Sequence, residues 1–127
     1  MDFSNHLADK LIDATVRNTP YDTPAKAWVA LYTTDPTKED VGAEVSEASY
    51  NRQPITMNVP VEGVSENSAQ IDFAEATSNW GMVTHIGIRD QASDGNLMYF
   101  TAIDNPKNIL TGDQFKVNAD KLKLTLT

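Results

Sequence analysis

The chain has 127 residues, of which 40% are hydrophobic, and a formal net charge of −8 at pH 7. This length is sufficient for a real hydrophobic core, and no apolar run approaches the roughly 18–20 residues of a membrane-spanning helix. The acidic balance disfavours nucleic-acid binding, which requires a basic surface. The absence of cysteine excludes disulfides and thiolate metal sites and suits a reducing cytoplasm, although such a chain is equally compatible with an oxidising exterior. We therefore expect no nucleic-acid partner and no membrane partner.

The first segment predicts an amphipathic helix over residues 4–17. Its apolar residues recur near the 3.6-residue period of a helix and include Phe3, Leu7, Leu11 and Ile12. Ser4 can cap the first free amides, Asn18 can adopt the left-handed conformation that ends a helix, and Pro20 prevents its continuation. We therefore divide the chain into an N-terminal helical arm, residues 1–19, and a β domain, residues 20–127.

After Pro24 the hydrophobic period changes to two, which is typical of β-strands. Turn residues separate seven or eight short strands, spaced as sandwiches and barrels require. The predicted strands are residues 26–33, 55–61 (a short or edge strand), 69–73, 82–89, 96–103, 115–118 and 122–127. Asn105 and Pro106 are expected to break the chain after Ile103. The predicted class is mainly β: an antiparallel, jelly-roll-like β-sandwich with one N-terminal amphipathic α-helix.

The segment 79–100 predicts a strand, a tight turn and a second strand, which indicates antiparallel pairing. Asp94 and Gly95 supply the positive φ angles that such a turn needs. A core is expected from the apolar residues of this hairpin and its neighbours, namely Trp28, Ala30, Leu31, Ile71, Phe73, Ile86, Ile88, Leu97, Tyr99, Leu122 and Leu124.

Residues with catalytic chemistry are few. The chain has only two histidines, His6 and His85, and lacks a nucleophile elbow, a phosphate-binding glycine loop and metal-ligand spacing. We therefore expect no enzymatic activity, no cofactor and no metal, and a structural role for His85 and Trp80. Residues 90–96 superficially resemble a calcium loop but lack the length and the closing glutamate of an EF-hand.

Arg52 follows a polar loop, residues 35–47, that holds five acids against one lysine. It can anchor this loop through a bidentate pair with a carboxylate, or it can be solvated, and the sequence leaves both alternatives open. Gly87 stands between Ile86 and Ile88, where it allows the close approach of another backbone.

Several short sequence segments, taken together, resemble those of a known protein family. They are Trp-Val-Ala-Leu-Tyr-Thr-Thr-Asp-Pro-Thr at 28–37, Glu-Val-Ser at 44–46, Tyr-Asn-Arg-Gln at 50–53, Trp-Gly-Met-Val-Thr-His-Ile-Gly-Ile at 80–88, Gly-Asn-Leu-Met at 95–98 and Thr-Gly-Asp at 111–113. In this order they resemble small tailed-bacteriophage virion proteins, which are labelled tail fibre, minor capsid or head decoration proteins. The resemblance covers nearly the whole chain and implies a β-sandwich or jelly-roll-like structural protein without catalysis. Residues 47–49 depart from the family's glycine-rich phrase, so a different loop shape is expected there.

The resemblance favours a capsid decoration, or cement, protein on the virion, at the capsid surface rather than the tail. Its expected partners are further copies of itself, as a homotrimer at local three-fold positions, and the major capsid protein or other virion proteins. The alternative is a tail-tip or tail-fibre component involved in host attachment.

The predicted assembly interface is the apolar stripe of the arm, formed by Phe3, Leu7, Leu11 and Ile12. A helix of about fourteen residues is marginal alone in water, so this stripe must pack against something. The proline-containing connector, residues 18–24, is stiff and suited to reaching a neighbouring subunit. Packing of the same stripe on the chain's own sheet is the other open alternative.

Overall fold

A computed structural model describes residues 1–126, which form one helix and nine strands. In chain order the elements are β1 Asp2–Phe3, α1 Asn5–Val16, β2 Ala27–Tyr32, β3 Gln53–Ile55, β4 Val64–Glu66, β5 Ile71–Asp72, β6 Gly81–Arg89, β7 Leu97–Ile109, β8 Lys116–Val117 and β9 Lys123–Thr125. All strand pairs are antiparallel. The predicted class, mainly antiparallel β with one N-terminal helix, is confirmed.

The ends of α1 follow local sequence signals. The Ser4 side chain accepts a hydrogen bond from the Leu7 amide at 3.1 Å, so Ser4 is the N-cap. Arg17 is the C-cap, and Asn18 has a φ of 55°, in the left-handed region. The predicted cap and the predicted stop are both confirmed.

A five-stranded sheet forms the centre of the fold, in the order β1-β7-β6-β2-β3. Its strands β6 and β7 form the predicted hairpin. The edge position of β3 is as predicted, but the predicted bounds 55–61 are wrong: β3 is Gln53–Ile55, and it contains Pro54, which an edge strand tolerates. Residue 127 of the predicted strand 122–127 lies outside the described residues. Two ribbons, β4 with β9 and β5 with β8, stand outside this sheet. The prediction missed β1 and β4, which have two and three residues and therefore too little periodicity to be detected.

The predicted chain break at Asn105 and Pro106 is wrong, because β7 continues to Ile109. Val83 pairs with Lys107 and His85 pairs with Ala102, so residues 103–106 of β7 lie opposite Thr84 alone. This is a bulge, and a proline is tolerated in a bulge because its missing N–H is not needed by the ladder.

The connection from β6 to β7 is longer than a tight turn. Asp94 and Gly95 have the predicted positive φ angles, 54° and 68°. The whole connection, however, runs over residues 90–96, and the Asp90 amide donates to the Asn96 carbonyl at 3.1 Å.

The core lies mainly on one face of the five-stranded sheet, where α1 and the ribbon of β5 and β8 cover it. Its buried members include Leu7, Val29, Leu31, Ile71, Phe73, Trp80, Val83, Ile86, Ile88, Phe115, Val117 and Leu122. The opposite face carries a smaller cluster of Ala30, Tyr32, Leu97 and Phe100. The sheet is therefore covered on one face by a second layer and on the other by loops.

Three predicted core residues, Trp28, Tyr99 and Leu124, are only half-buried. Trp28 lies near the start of β2, opposite Pro54 of the edge strand. Leu124 belongs to a two-stranded ribbon, which has too little neighbouring structure to enclose it. Tyr99 packs edge-on against Phe3, with ring centroids 5.5 Å apart.

Candidate functional site: a loop held by two arginines

Arg89, the last residue of β6, is 7% exposed and lies under two loops. Its Nη1 donates to the Tyr32 hydroxyl at 2.9 Å and to Asp40 Oδ1 at 2.7 Å, and its Nη2 donates to Asp40 Oδ2 at 2.9 Å. Two further bonds reach backbone carbonyls, from Nη2 to Gly95 at 2.9 Å and from Nε to Asp94 at 3.3 Å. All five guanidinium donors are therefore satisfied.

Burial alone would lower the pKa of Arg89, but the hydrogen bonds to Asp40 and Tyr32 outweigh it, and the pKa is raised. Arg89 therefore carries its charge, as arginines in proteins do. Because each donor already has a partner, this charge serves to join the loops and is not available to a ligand.

Arg52 holds the same loop from the other side. Its Nε and Nη2 donate to the two carboxylate oxygens of Glu44, each at 2.8 Å. Its Nη1 donates to the carbonyls of Gln91 at 2.9 Å and Asp94 at 2.8 Å. The hydrogen bond to Glu44 raises the pKa of Arg52. Of the two alternatives left open by the sequence, the bidentate pair is the one that forms.

Tyr50 connects this polar network to the core. Its hydroxyl donates to Glu44 Oε2 at 2.5 Å and accepts from the Leu31 amide at 3.0 Å. Burial raises the pKa of Tyr50, and the hydrogen bond to Glu44 raises it further. The ring stacks on Phe73 and meets Trp80 edge-on, with centroids 6.0 and 5.5 Å away.

The held segment, residues 90–96, is called the arginine-held loop below. The Asp90 carboxylate closes it by accepting from the Asn96 backbone amide at 2.7 Å and from the Asn96 side chain at 3.2 Å. Gly95 has a φ of 68°, and a Cβ there would clash with the Asp90 carboxylate and the Gln91 side chain, so the position favours glycine. The side chains at the tip, residues 91–94, are exposed. The loop thus directs carbonyls inward and presents an ordered outer surface.

The resemblance of this loop to a calcium site has no support in its geometry. The carbonyl oxygens of Gln91, Asp94 and Gly95 already accept hydrogen bonds from the two arginines. A cation at these oxygens would lie beside two guanidinium charges. Within residues 1–126 no group of three histidine, aspartate or glutamate side chains is placed to hold a metal ion.

His85 and Trp80 occupy separate positions. The His85 Nδ1 lies 2.8 Å from Thr84 Oγ1, and its Nε2 lies 3.8 Å from Asp35 Oδ1. Trp80 is buried and donates from Nε1 to the Ser49 hydroxyl at 3.0 Å. These contacts support the predicted structural role of both residues, which stays a prediction until it is tested by substitution.

The segment 47–49, where the sequence departs from the glycine-rich segment of the family, is hydrogen-bonded to the residues just before β6. Ser49 Oγ also accepts from the Thr77 amide at 3.2 Å, and Glu47 Oε2 accepts from the Ser78 hydroxyl at 3.0 Å. Serine and glutamate side chains thus make bonds at this site that a glycine cannot make.

The four residues predicted as an assembly interface do not form one surface. Leu7 is 2% exposed and belongs to the main core, and Phe3 lies in β1 against Tyr99. Leu11 is partly buried, and Ile12 is 55% exposed. The burial of Leu7 and the contact of Phe3 with Tyr99 support the other alternative for these two residues, packing on the chain's own sheet. The assembly interface itself stays a prediction.

The arm is also bonded to the β domain through its backbone. The Ser4 amide donates to the Met98 carbonyl at 2.9 Å, and the Asn5 amide donates to the Lys38 carbonyl at 2.9 Å. Independent folding of residues 20–127 and assembly through the helical arm stay predictions. Within residues 1–126 no helix has the length and apolar character needed to cross a membrane.

The fold and the network define a class: a small antiparallel β protein whose charged residues fix loops in place. Comparison with known protein families shows which of them the chain matches. The family model described as "Podophage GP4 fiber I protein gp80" matches residues 2–125. The chain belongs to this family of phage fibre proteins, and the resemblance to tailed-phage virion proteins is confirmed. A search among curated proteins found no significant match.

Proposed function

We propose that this protein is a component of a podophage tail fibre and that it contributes to host attachment through the arginine-held loop. The observation that carries the proposal is the match to a fibre-protein family over residues 2–125. The capsid-decoration function expected from the sequence has less support, because that family is described as a fibre protein. A homotrimeric state, contact with the major capsid protein and the absence of enzymatic activity remain predictions.

The loop suits recognition because its shape is fixed before it binds. Arg52 and Arg89 together donate four hydrogen bonds to its carbonyls. Ordering a flexible loop at the moment of binding costs conformational entropy, and a loop that is already ordered avoids most of that cost. Its exposed tip, residues 91–94, carries amide, hydroxyl and carboxylate groups suited to hydrogen bonding with a polar host surface.

The test compares phages that carry a bulky substitution at two exposed alanines. Ala92→Trp changes the tip of the arginine-held loop, whereas Ala25→Trp places the same side chain between the connector and β2. We expect Ala92→Trp to slow adsorption to host cells about tenfold, because the bulky side chain disturbs the contact surface of the tip, and Ala25→Trp to leave the adsorption rate unchanged. If both phages adsorb equally and incorporate the protein normally, the arginine-held loop takes no part in host attachment.

A further inference from the structure

The outer edge of β7 is paired over only a small part of its length. The two residues of β1 pair with Tyr99 and Phe100. Among residues 1–126 no other strand pairs with this edge over residues 101–109. An unpaired edge presents backbone N–H and C=O groups that can bond to an added strand. Here these groups lie on both sides of the bulge at residues 103–106, within which Pro106 has no N–H.

A groove of about 600 Å³ lies between this part of β7 and the segment that leads from β8 to β9. Phe115 and Leu122 line it and are buried, and Thr101 and Asn118 contribute polar groups. The groove therefore combines an apolar floor with an open strand edge, which is the arrangement that domains use to bind extended peptides.

The rim of the groove is basic, although the chain as a whole is acidic. Four of the seven lysines of the chain line it, namely Lys107, Lys116, Lys121 and Lys123, and Asp104 is the one carboxylate among the lining residues. Lys123 lies 3.5 Å from Glu66. Within the part of the chain that the structure describes, the other three lysines form no ion pair.

Lysines at a strand edge discourage pairing with identical or neutral strands, and they favour a segment of opposite charge. Successive side chains of a strand alternate between its two faces. A segment with acidic residues at every second position would therefore direct one row of carboxylates towards this rim. The one aromatic ring in the lining, Phe115, is 3% exposed, so the groove offers no open aromatic face for stacking a sugar.

We propose that this groove is a docking site for an extended acidic segment of another polypeptide, which adds to the free edge of β7 as a strand. Lys107, Lys116 and Lys121 bind its carboxylates, and the edge of β7 bonds its backbone. The site lies on different elements from the arginine-held loop, so the proposal does not depend on the role of that loop in attachment.

The test uses a fluorescein-labelled peptide of about eight residues that alternates glutamate with threonine. Binding to the full chain is measured by fluorescence anisotropy. The double variant Lys116→Gln/Lys121→Gln is compared with Lys10→Gln/Lys26→Gln, which removes the same charge at exposed positions outside the groove. We expect the first to weaken binding about tenfold or more and the second to change it less than about twofold.

Two further probes separate strand addition from simple charge attraction. A peptide of the same sequence with alternate backbone amides methylated keeps the carboxylates but loses donors needed for pairing, and we expect it to bind at least about tenfold more weakly. Backbone amide shifts in nuclear magnetic resonance should change over residues 101–109. Equal binding of the methylated peptide, equal loss in the two double variants, preference for dextran sulfate, or no binding would each overturn the proposal.

Discussion

Arg89 links Asp40, on the loop after β2, to the arginine-held loop after β6. Removal of its side chain leaves the Asp40 carboxylate and the Tyr32 hydroxyl without their partner under the two loops. We expect Arg89→Met to lower the free energy of unfolding by about 1–3 kcal/mol, because the buried Tyr32 hydroxyl loses its partner, whereas the Asp40 side chain is 31% exposed and can be solvated.

The control for this change is Arg17→Met. Arg17 also pairs with an aspartate, Asp13, but its side chain is 68% exposed. We expect a loss below about 0.5 kcal/mol in urea unfolding, as is typical of exposed pairs. Similar losses in the two variants would show that the Arg89 network does not stabilise the fold.

Tyr50 makes stability depend on alkaline pH. Its pKa is raised in the folded protein by burial and by the hydrogen bond to Glu44, whereas in the unfolded chain it stays near 10. Its contribution is therefore complete below about pH 10 and is lost as pH rises further, because the unfolded state then binds fewer protons than the folded state. Each pH unit above 10 costs about 1.4 kcal/mol per such group.

The variant Tyr50→Phe isolates this effect. It should be less stable at neutral pH, because the Leu31 amide loses its acceptor. Above about pH 10 its free energy of unfolding should fall less steeply with pH than that of the unchanged chain. Parallel pH profiles for the two proteins would show that Tyr50 ionises equally in both states.

At the scale of elements, the two sides of α1 have different roles. Leu7 lies in the core and Ile12 is exposed. We expect Leu7→Ala to cost about 2–5 kcal/mol through lost burial and a residual cavity, and Ile12→Ala to cost less than about 0.5 kcal/mol. Urea unfolding at one protein concentration measures both.

A large cost for Ile12→Ala that grows with protein concentration would place Ile12 in a contact between subunits. That outcome would support the assembly role predicted for this residue. Equal costs for the two substitutions in the monomer would contradict the division of the helix into a buried and an exposed side.

The elements that could be predicted from sequence are those with local causes. Ser4, Asn18 and the Asp94-Gly95 pair act on neighbouring backbone, so the helix ends and the positive φ angles follow from a few residues. The continuation of β7 through Pro106 could not be predicted, because the bulge depends on its register with β6.

The arginine network was predicted only in part, for a related reason. Glu44 lies eight residues before Arg52, and the acidic loop in that region indicated a possible pair. Arg89 and Asp40 are 49 residues apart and meet only after the sheet forms. The sequence did contain one indication: Arg89 follows the Ile-Gly-Ile run directly. It is two residues after Gly87, so the two residues lie on the same face of the strand.

Gly87 makes room on that same face. A Cβ there would lie 2.7 Å from Cε2 of the Tyr32 ring and 2.8 Å from Cδ1 of Leu97. The close approach predicted for this glycine therefore exists, but it involves side chains rather than another backbone. The glycine allows the Tyr32 hydroxyl to reach Arg89.

For the whole molecule, charge is distributed unevenly. The chain carries −8 overall, while four lysines surround the groove beside β7. Copies of the chain therefore repel one another in general, and a trimer requires specific contacts to overcome this repulsion. Sedimentation equilibrium at low and high salt tests the predicted trimer. A species of three chains at both salt concentrations is expected, and a monomer at both would contradict it.

The position of the protein on the virion tests the central claim, which is that it is a fibre component. Immunogold electron microscopy of intact podophage particles, with an antibody against this chain, locates it directly, and an antibody against the major capsid protein marks the head as a control. We predict gold particles at the tail and its fibres, few per virion. Label spread over the head in many copies per particle would contradict the account and favour a decoration protein.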